Sequence, residues 1–149
     1  HRFPLHHRTK GFNLLFERHA IQHHQYFTHE DTSIKTNKEM FYVLFPAAAI
    51  VIFIPVMAGP LSLAVGYLFG ANEGWLTLAT AVFYFVWYET FHLANHLPKS
   101  HFVHRVPGLS SLCRWHHLHH NPAMAKQWNF NVCFPLADYV MGTLKRKDS

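Results

Sequence analysis

The chain has 149 residues, enough for at most one ordinary domain; half are hydrophobic and only 14% charged, against about 25% charged in soluble domains, a shortage that points to lipid. Its formal charge is +5, and every Lys and Arg falls in residues 1–38 or 99–149, with none between Met40 and Pro98. Basic flanks around an uncharged centre fit cytoplasmic flanks under the positive-inside rule better than the face of a nucleic-acid binder. Cys113 and Cys133 are too far apart for a C-x-x-C pair and imply no disulfide framework, so both read as reduced thiols.

In chain order, residues 1–39 are basic, histidine-rich and uneven in pattern. A first residue of His rather than Met leads us to expect that upstream sequence has been removed. Phe12 to Tyr26 predicts a helix with Leu15, His19, Ala20 and His23 on one side, and Glu30 to Asn37 a polar loop. Phe41 to Phe69 contains no Asp, Glu, Lys, Arg or His, and it exceeds the roughly 20 residues needed to cross a bilayer core near 30 Å thick. Pro55 and Gly59-Pro60 predict a kink within it.

Gly70-Ala71-Asn72-Glu73-Gly74 predicts a tight polar turn. Trp75 to Tyr88 supplies only about 21 Å of uncharged helix at 1.5 Å per residue, so a second span must continue through Glu89 towards His92. Trp75, Trp87 and Tyr88 read as interfacial anchors. Histidines lie on both sides of this segment, so one site built from both flanks requires an even number of crossings. One kinked crossing plus Trp75–His92 gives two. The alternative is a soluble buried helical hairpin, although soluble helices rarely run so far without a charge. After Pro98 the chain turns basic again, and Lys145-x-Lys147-x-x at its end is compatible with a dilysine retrieval signal in a eukaryote.

The densest stretch is Arg114-Trp115-His116-His117-Leu118-His119-His120. Being internal and interleaved with Trp115 and Leu118, it is not an expression tag, though a solvated turn remains an alternative. On a helix His116, His119 and His120 fall within an arc of about 100°, with His117 about 60° beyond, so three are expected to converge on one point. Clustered imidazoles repel when protonated, which favours the neutral form, the commonest metal ligand of proteins. Two further pairs, His19/His23 and His92/His96, have the i, i+4 spacing of one helix face and suit chelation. With His1, His6 and His24 these make ten imidazoles on both sides of a histidine-free segment, too many for one ion. Two ions would have about five each, leaving a position open on an octahedral iron. No H-E-x-x-H zinc motif is present.

His1-Arg2-x-x-x-His6, His19-x-x-x-His23-His24, His92-x-x-x-His96 and His116-x-x-His119-His120 resemble the histidine boxes of the fatty acid hydroxylase/sterol desaturase superfamily of membrane di-iron enzymes. Asn129-Phe130-Asn131, Pro135, Asp138 and Gly142-Thr143 resemble the segment after the last box in that superfamily. The likeness covers essentially the whole chain and is far more specific for the superfamily than for a substrate. It implies two irons held by His1, His6, His19, His23, His24, His92, His96, His116, His119 and His120, with O2 as oxidant and cytochrome b5 or a ferredoxin-type protein as electron donor. Zinc is expected as a substitute in purified protein.

The implied fold is all-α: a membrane helical hairpin with a cytosolic histidine-rich helical cap around a dimetal centre. As a single domain over 1–149 it would carry boxes in 1–39 and 92–149 and spans in 41–92. The membrane would be the endoplasmic reticulum in a eukaryote or the cytoplasmic membrane in a bacterium, with the boxes on the cytoplasmic side. One departure is visible: the second box is spaced H-x-x-x-H-H where H-x-x-H-H is common, with Ala20 at the shorter spacing. Glu89, one turn before His92, and Asp138 each read either as the acceptor of a ligand's distal N–H or as a structural charge. His7 and His117 adjoin ligands and are second-layer or solvated; His29, His101 and His104 are expected to be solvated.

The expected reaction is O2-dependent hydroxylation of a lipid acyl chain, with sterol desaturation or methyl oxidation and carotenoid hydroxylation as neighbouring alternatives. A membrane metal-binding or transport protein is the alternative of another class. Transport would place polar ligands near mid-membrane, and Phe41–Phe69 has none.

Overall fold

Between Asn13 and Tyr26 the chain runs helically as expected, but not at one pitch. In this computed structural model, which describes residues 1–146, α1 (Asn13–Phe16) passes into a π-helical stretch over Glu17–His23 and then into α2 (His24–Tyr26). Lys147, on which the dilysine reading depends, lies outside the described residues. An extended loop leads to α3 (Met40–Val43), and α4 (Ala47–Phe53), α5 (Gly59–Phe69), α6 (Ala71–Asn95), α7 (Leu109–His119) and α8 (Leu136–Val140) come next in the chain. The described residues form helices and no strand.

The chain divides into two compact units: His1–Leu44 with Phe91–Ser149, and Phe45–Thr90. In the second, α4 and α5 are joined by a π-helical stretch over Ile54–Ala58, which falls at Pro55. Proline removes an N–H and clashes with the preceding turn, and a widened turn is how a helix accommodates that without breaking. Ala49–Phe69 is thereby one helical run of 21 residues, long and apolar enough to cross a membrane, with 11% of it buried. That exposure differs from the core helix of a soluble protein, whose apolar face is covered. It is the one such stretch among the described residues. α6 has 25 residues, about 37 Å at 1.5 Å each, but reaches that length by including Asn72, Glu73, Glu89 and His92.

The expected five-residue turn at Gly70–Gly74 is shorter than the sequence implied. Gly70 alone reverses the chain, at φ 127°, and α6 begins at Ala71. Asn72, Glu73 and Gly74 therefore sit in its first turn. α5 and α6 then approach through small residues: a Cβ on Gly74 would lie 2.9 Å from both the Gly66 Cα and the Ser62 carbonyl oxygen. Ser62 Oγ donates to the Gly74 carbonyl at 2.5 Å.

In the histidine-bearing unit the interior is unusual in kind. Its apolar core is modest, with Leu5, Val103, Leu118, Phe130 and Val132 among its members. The largest wholly enclosed side chains are Phe27, five imidazoles and Asp138. Cys113 and Cys133 are buried free thiols, as the spacing implied.

Gly74→Ala should lower stability by about 1–3 kcal/mol, the usual cost of overpacking a tight contact, because both atoms it meets are backbone. A lowered thermal unfolding midpoint in detergent is the expected readout; an unchanged midpoint would show that α5 and α6 separate without cost.

Candidate metal centre

Local helix geometry decides where each imidazole goes. The segment His19-x-x-x-His23-His24 enters through a π-helical stretch over Glu17–His23, in which both His19 and His23 are buried. α7 presents His116, His119 and His120 towards the same interior, with His120 as its C-cap. His92 lies in the last turn of α6 and His96 just past its end.

Two sets of four form, each with its ligand nitrogens all within 4.8 Å of one another: His1, His6, His19 and His119, and His23, His92, His96 and His116. His120 adjoins the second set, its Nε2 3.1 Å from that of His116 and its ring centroid 4.8 Å from that of His23. His24 lies between the two, its ring centroid 4.8, 5.0 and 4.9 Å from those of His6, His19 and His119 and 4.4 Å from that of His120. All ten histidines singled out in the sequence therefore come together. Their distribution differs from the expectation in two places. His19 and His23, expected to chelate as a pair, stack at 5.1 Å but belong to different sets. The three histidines of α7 do not converge on one point either: His119 is offset from His116 by about 60° in one direction and His120 by about 40° in the other, so His119 joins the first set while His116 and His120 serve the second.

The outer partners fix the tautomers. His23 Nδ1 donates to the Tyr42 carbonyl at 2.8 Å, His96 Nδ1 to Thr32 at 2.6 Å, His119 Nδ1 to Trp128 at 2.9 Å and His120 Nδ1 to Phe27 at 2.6 Å. A carbonyl only accepts, so each Nδ1 carries the hydrogen and each neutral ring turns a bare Nε2 lone pair inward. Both His96 and His120 aim theirs at His116 Nε2, at 2.9 and 3.1 Å. One His116 hydrogen can satisfy only one of them. In the first set four Nε2···Nε2 contacts of 2.8–3.2 Å join His1, His6, His19 and His119; His119 has no hydrogen there and a protonated Nε2 cannot accept, so at most two are hydrogen bonds. Both ring nitrogens of His24 are buried without a partner. Converging lone pairs left short of hydrogens are what a cation satisfies, and these residues fit a metal ion at each set.

Burial keeps the rings neutral. Desolvation, reinforced by neighbouring imidazoles, pushes His6 down to about 2 and His19, His24, His96, His116 and His120 well below the ordinary imidazole value. His23 and His119 fall to about 4, burial outweighing the opposing pull of the Tyr42 and Trp128 carbonyls.

The two acids do not take up ligand hydrogens. Asp138, 1% exposed, accepts the backbone N–H groups of Phe130 and Asn131 at 3.0 and 2.7 Å and the Thr143 hydroxyl at 2.6 Å. It holds the loop that carries the Trp128 carbonyl, helped by Asn129, which adopts φ 56° and exchanges two 2.8 Å hydrogen bonds with Lys145. Glu89 accepts the Phe45 N–H at 2.8 Å. The outer hydrogens of His23, His96, His119 and His120 go to backbone carbonyls instead.

Of the remaining histidines, His29 is exposed and His7 half-buried on the Phe3 ring. His117 approaches the Thr32 hydroxyl at 3.4 Å. His101 and His104 are not solvated as expected: His101 accepts the Val103 N–H at 3.5 Å and His104 Nε2 meets the Leu97 carbonyl at 3.0 Å.

What the fold and site define is a helical protein with two buried histidine clusters, each able to hold a metal ion. No family model, curated protein or solved structure matches the chain.

Two measurements test the site. Unfolded histidines take protons below about pH 6.5, whereas the folded chain refuses them at His23 and His119 until about 4. Stability of the metal-free protein is therefore complete above 6.5 and lost as pH falls towards 4, and denaturant midpoints at pH 7 and pH 5 should differ in that direction. Asp138→Asn should weaken metal retention about tenfold or more, the usual effect of loosening a ligand's support, read as metal content after dialysis against a chelator. Unchanged retention would detach Asp138 from the site.

Proposed function

We propose that the protein is an O2-dependent membrane di-iron oxidoreductase that hydroxylates a C–H bond of a lipid, in the first instance a fatty acyl chain. One observation carries this reading: ten imidazoles, four with their tautomer fixed by a backbone carbonyl, gather without a carboxylate into two buried sets. Five nitrogens exceed the four that tetrahedral zinc takes and leave a place open on an octahedral ion, as an O2-using iron requires. The resemblance of the four boxes to the fatty acid hydroxylase/sterol desaturase superfamily supports the same assignment and keeps sterols and carotenoids within the substrate class.

His1, His6, His19, His24 and His119 would hold one iron, and His23, His92, His96, His116 and His120 the other. Such a pair supplies oxidation of an unactivated C–H bond by O2, which no side chain can perform alone. The chain's own residues bind and orient. Tyr42, Thr32, Trp128 and Phe27 fix the direction of four lone pairs, and burial keeps the rings deprotonated and excludes water.

The membrane assignment rests on Ala49–Phe69, and α6 is proposed as the returning span. The apolar unit is inserted between Leu44 and Phe91 of the histidine unit, which ties the clusters covalently to a lipid-soluble segment and suits a lipid substrate. Every Lys and Arg belongs to the histidine unit. A basic unit favours an acidic electron donor of the cytochrome b5 or ferredoxin type. It also agrees with a cytoplasmic location for that unit.

His119→Ala and His120→Ala should each abolish oxygen-dependent product and lower the iron bound per chain. Mass spectrometry of host lipids, with the gene present and absent and with and without O2, reads the product. Turnover retained in either variant would refute the assignment; zinc in purified protein would not, since imidazoles accept zinc readily.

A further inference from the structure

A different face of α7 lines a cleft of about 280 Å3 in the histidine unit. Ser110, Arg114 and His117 recur on it at helical spacing, and Thr32, Ser33, Asn95 and Lys99 close the other sides. No carboxylate lines it. Among the described residues neither Lys99 nor Arg114 forms a salt bridge. Asp31, whose carboxylate senses the Lys99 charge, is bridged to Lys35 at 3.0 Å. Asn95 also lines the cleft and is 6% exposed.

We propose that this cleft binds a phosphate group, held by Lys99 and Arg114 and completed by donors from the Ser33 and Ser110 hydroxyls. The chemistry favours phosphate over a carboxylate. Two cations match its charge, the guanidinium fork pairs with two of its oxygens, and the remaining donors require further oxygens that a carboxylate lacks. At 280 Å3 the cleft is at the small end of ligand pockets, which run from about 300 to 1,000 Å3. It fits a phosphate with a small esterified group and excludes a whole lipid. The same chemistry is offered by a phospholipid headgroup and by a soluble phosphate ester. The site is separate from the ten imidazoles and does not depend on the reaction proposed for them, although it backs onto them: Thr32 lines the cleft while its carbonyl holds His96, and Asn95 immediately precedes that ligand.

The test uses the full chain in neutral detergent, titrated with inorganic phosphate in one arm and with a short-chain phosphatidic acid in the other, by calorimetry or phosphorus NMR. Lys99→Gln with Arg114→Gln is compared with Lys10→Gln with Lys126→Gln, which removes the same charge from exposed positions outside the cleft. Equal metal content in the two double variants shows that the imidazole clusters are intact. Loss of two charge-assisted contacts should weaken binding about tenfold or more in the cleft variant alone. Similar affinity for both probes points to a soluble ester, and clearly tighter binding of the phosphatidic acid points to a headgroup; either supports the site. No binding of either probe to the unaltered protein, equal loss in both double variants, or no loss in the cleft variant overturns it.

Discussion

The constraint on which the histidine unit depends is the burial of imidazole in its neutral form with the lone pair pointing inward. Each ring has two nitrogens with opposite requirements, one giving a hydrogen and one needing an electron-pair acceptor. Placing a carbonyl at Nδ1 settles the first requirement and fixes the second. Those carbonyls are free because of where they lie. Phe27 is the extended residue that ends α2, Tyr42 is in the last turn of α3, whose final carbonyls have no intrahelical partner, and Thr32 and Trp128 lie in irregular backbone. The short, interrupted helices of this unit thus answer the site's need for acceptors that long helices would consume.

That need also explains what the sequence reveals and what it conceals. His92 and His96, at i, i+4 spacing, fall in one set. His19 and His23 share the spacing and stack at 5.1 Å with ring planes 19° apart, yet fall in different sets. The spacing marks candidate ligands without saying which of them group together. The outer partners were not legible at all. Every residue carries a carbonyl, so nothing in the letters Phe27, Thr32, Tyr42 or Trp128 marks them, whereas Glu89 and Asp138 attract attention by being acidic and serve the backbone instead. Hydropathy made the apolar segment and its prolines readable. It did not show that Gly70 alone reverses the chain, because a single positive φ has no compositional signature beyond the glycine itself.

Energetically, the histidine unit resembles small metal-dependent folds more than an oil-filled core. Its apolar members are few, and the contacts in its interior join residues far apart in sequence: His6 to His119, His23 to His92, Phe27 to His120. Closing such loops costs chain entropy that grows only slowly with length, so a few strong links among distant segments are an efficient way to hold the unit. Metal–imidazole bonds are of that kind, and ligands that must converge before binding make metal affinity part of the folding free energy. Without metal the same nitrogens are a liability, since several contacts lack a hydrogen to share.

The distribution of charge obeys the same logic. The twelve Lys and Arg among the described residues all lie in the unit whose interior is lined by bases, yet none of them is among its buried side chains. A metal entering the clusters brings positive charge into a low-dielectric interior, and nearby surface cations oppose it. Neutral ligands offer no compensating negative charge. The opposition is weak only if the cations stay in water, where screening over about 10 Å reduces their reach. Arg114, one residue from Trp115 and two from His116, illustrates the arrangement: it is exposed on a different face of α7 from His116 and His120. Keeping the guanidinium there leaves the interior to imidazoles and makes the exterior a basic surface available to anions.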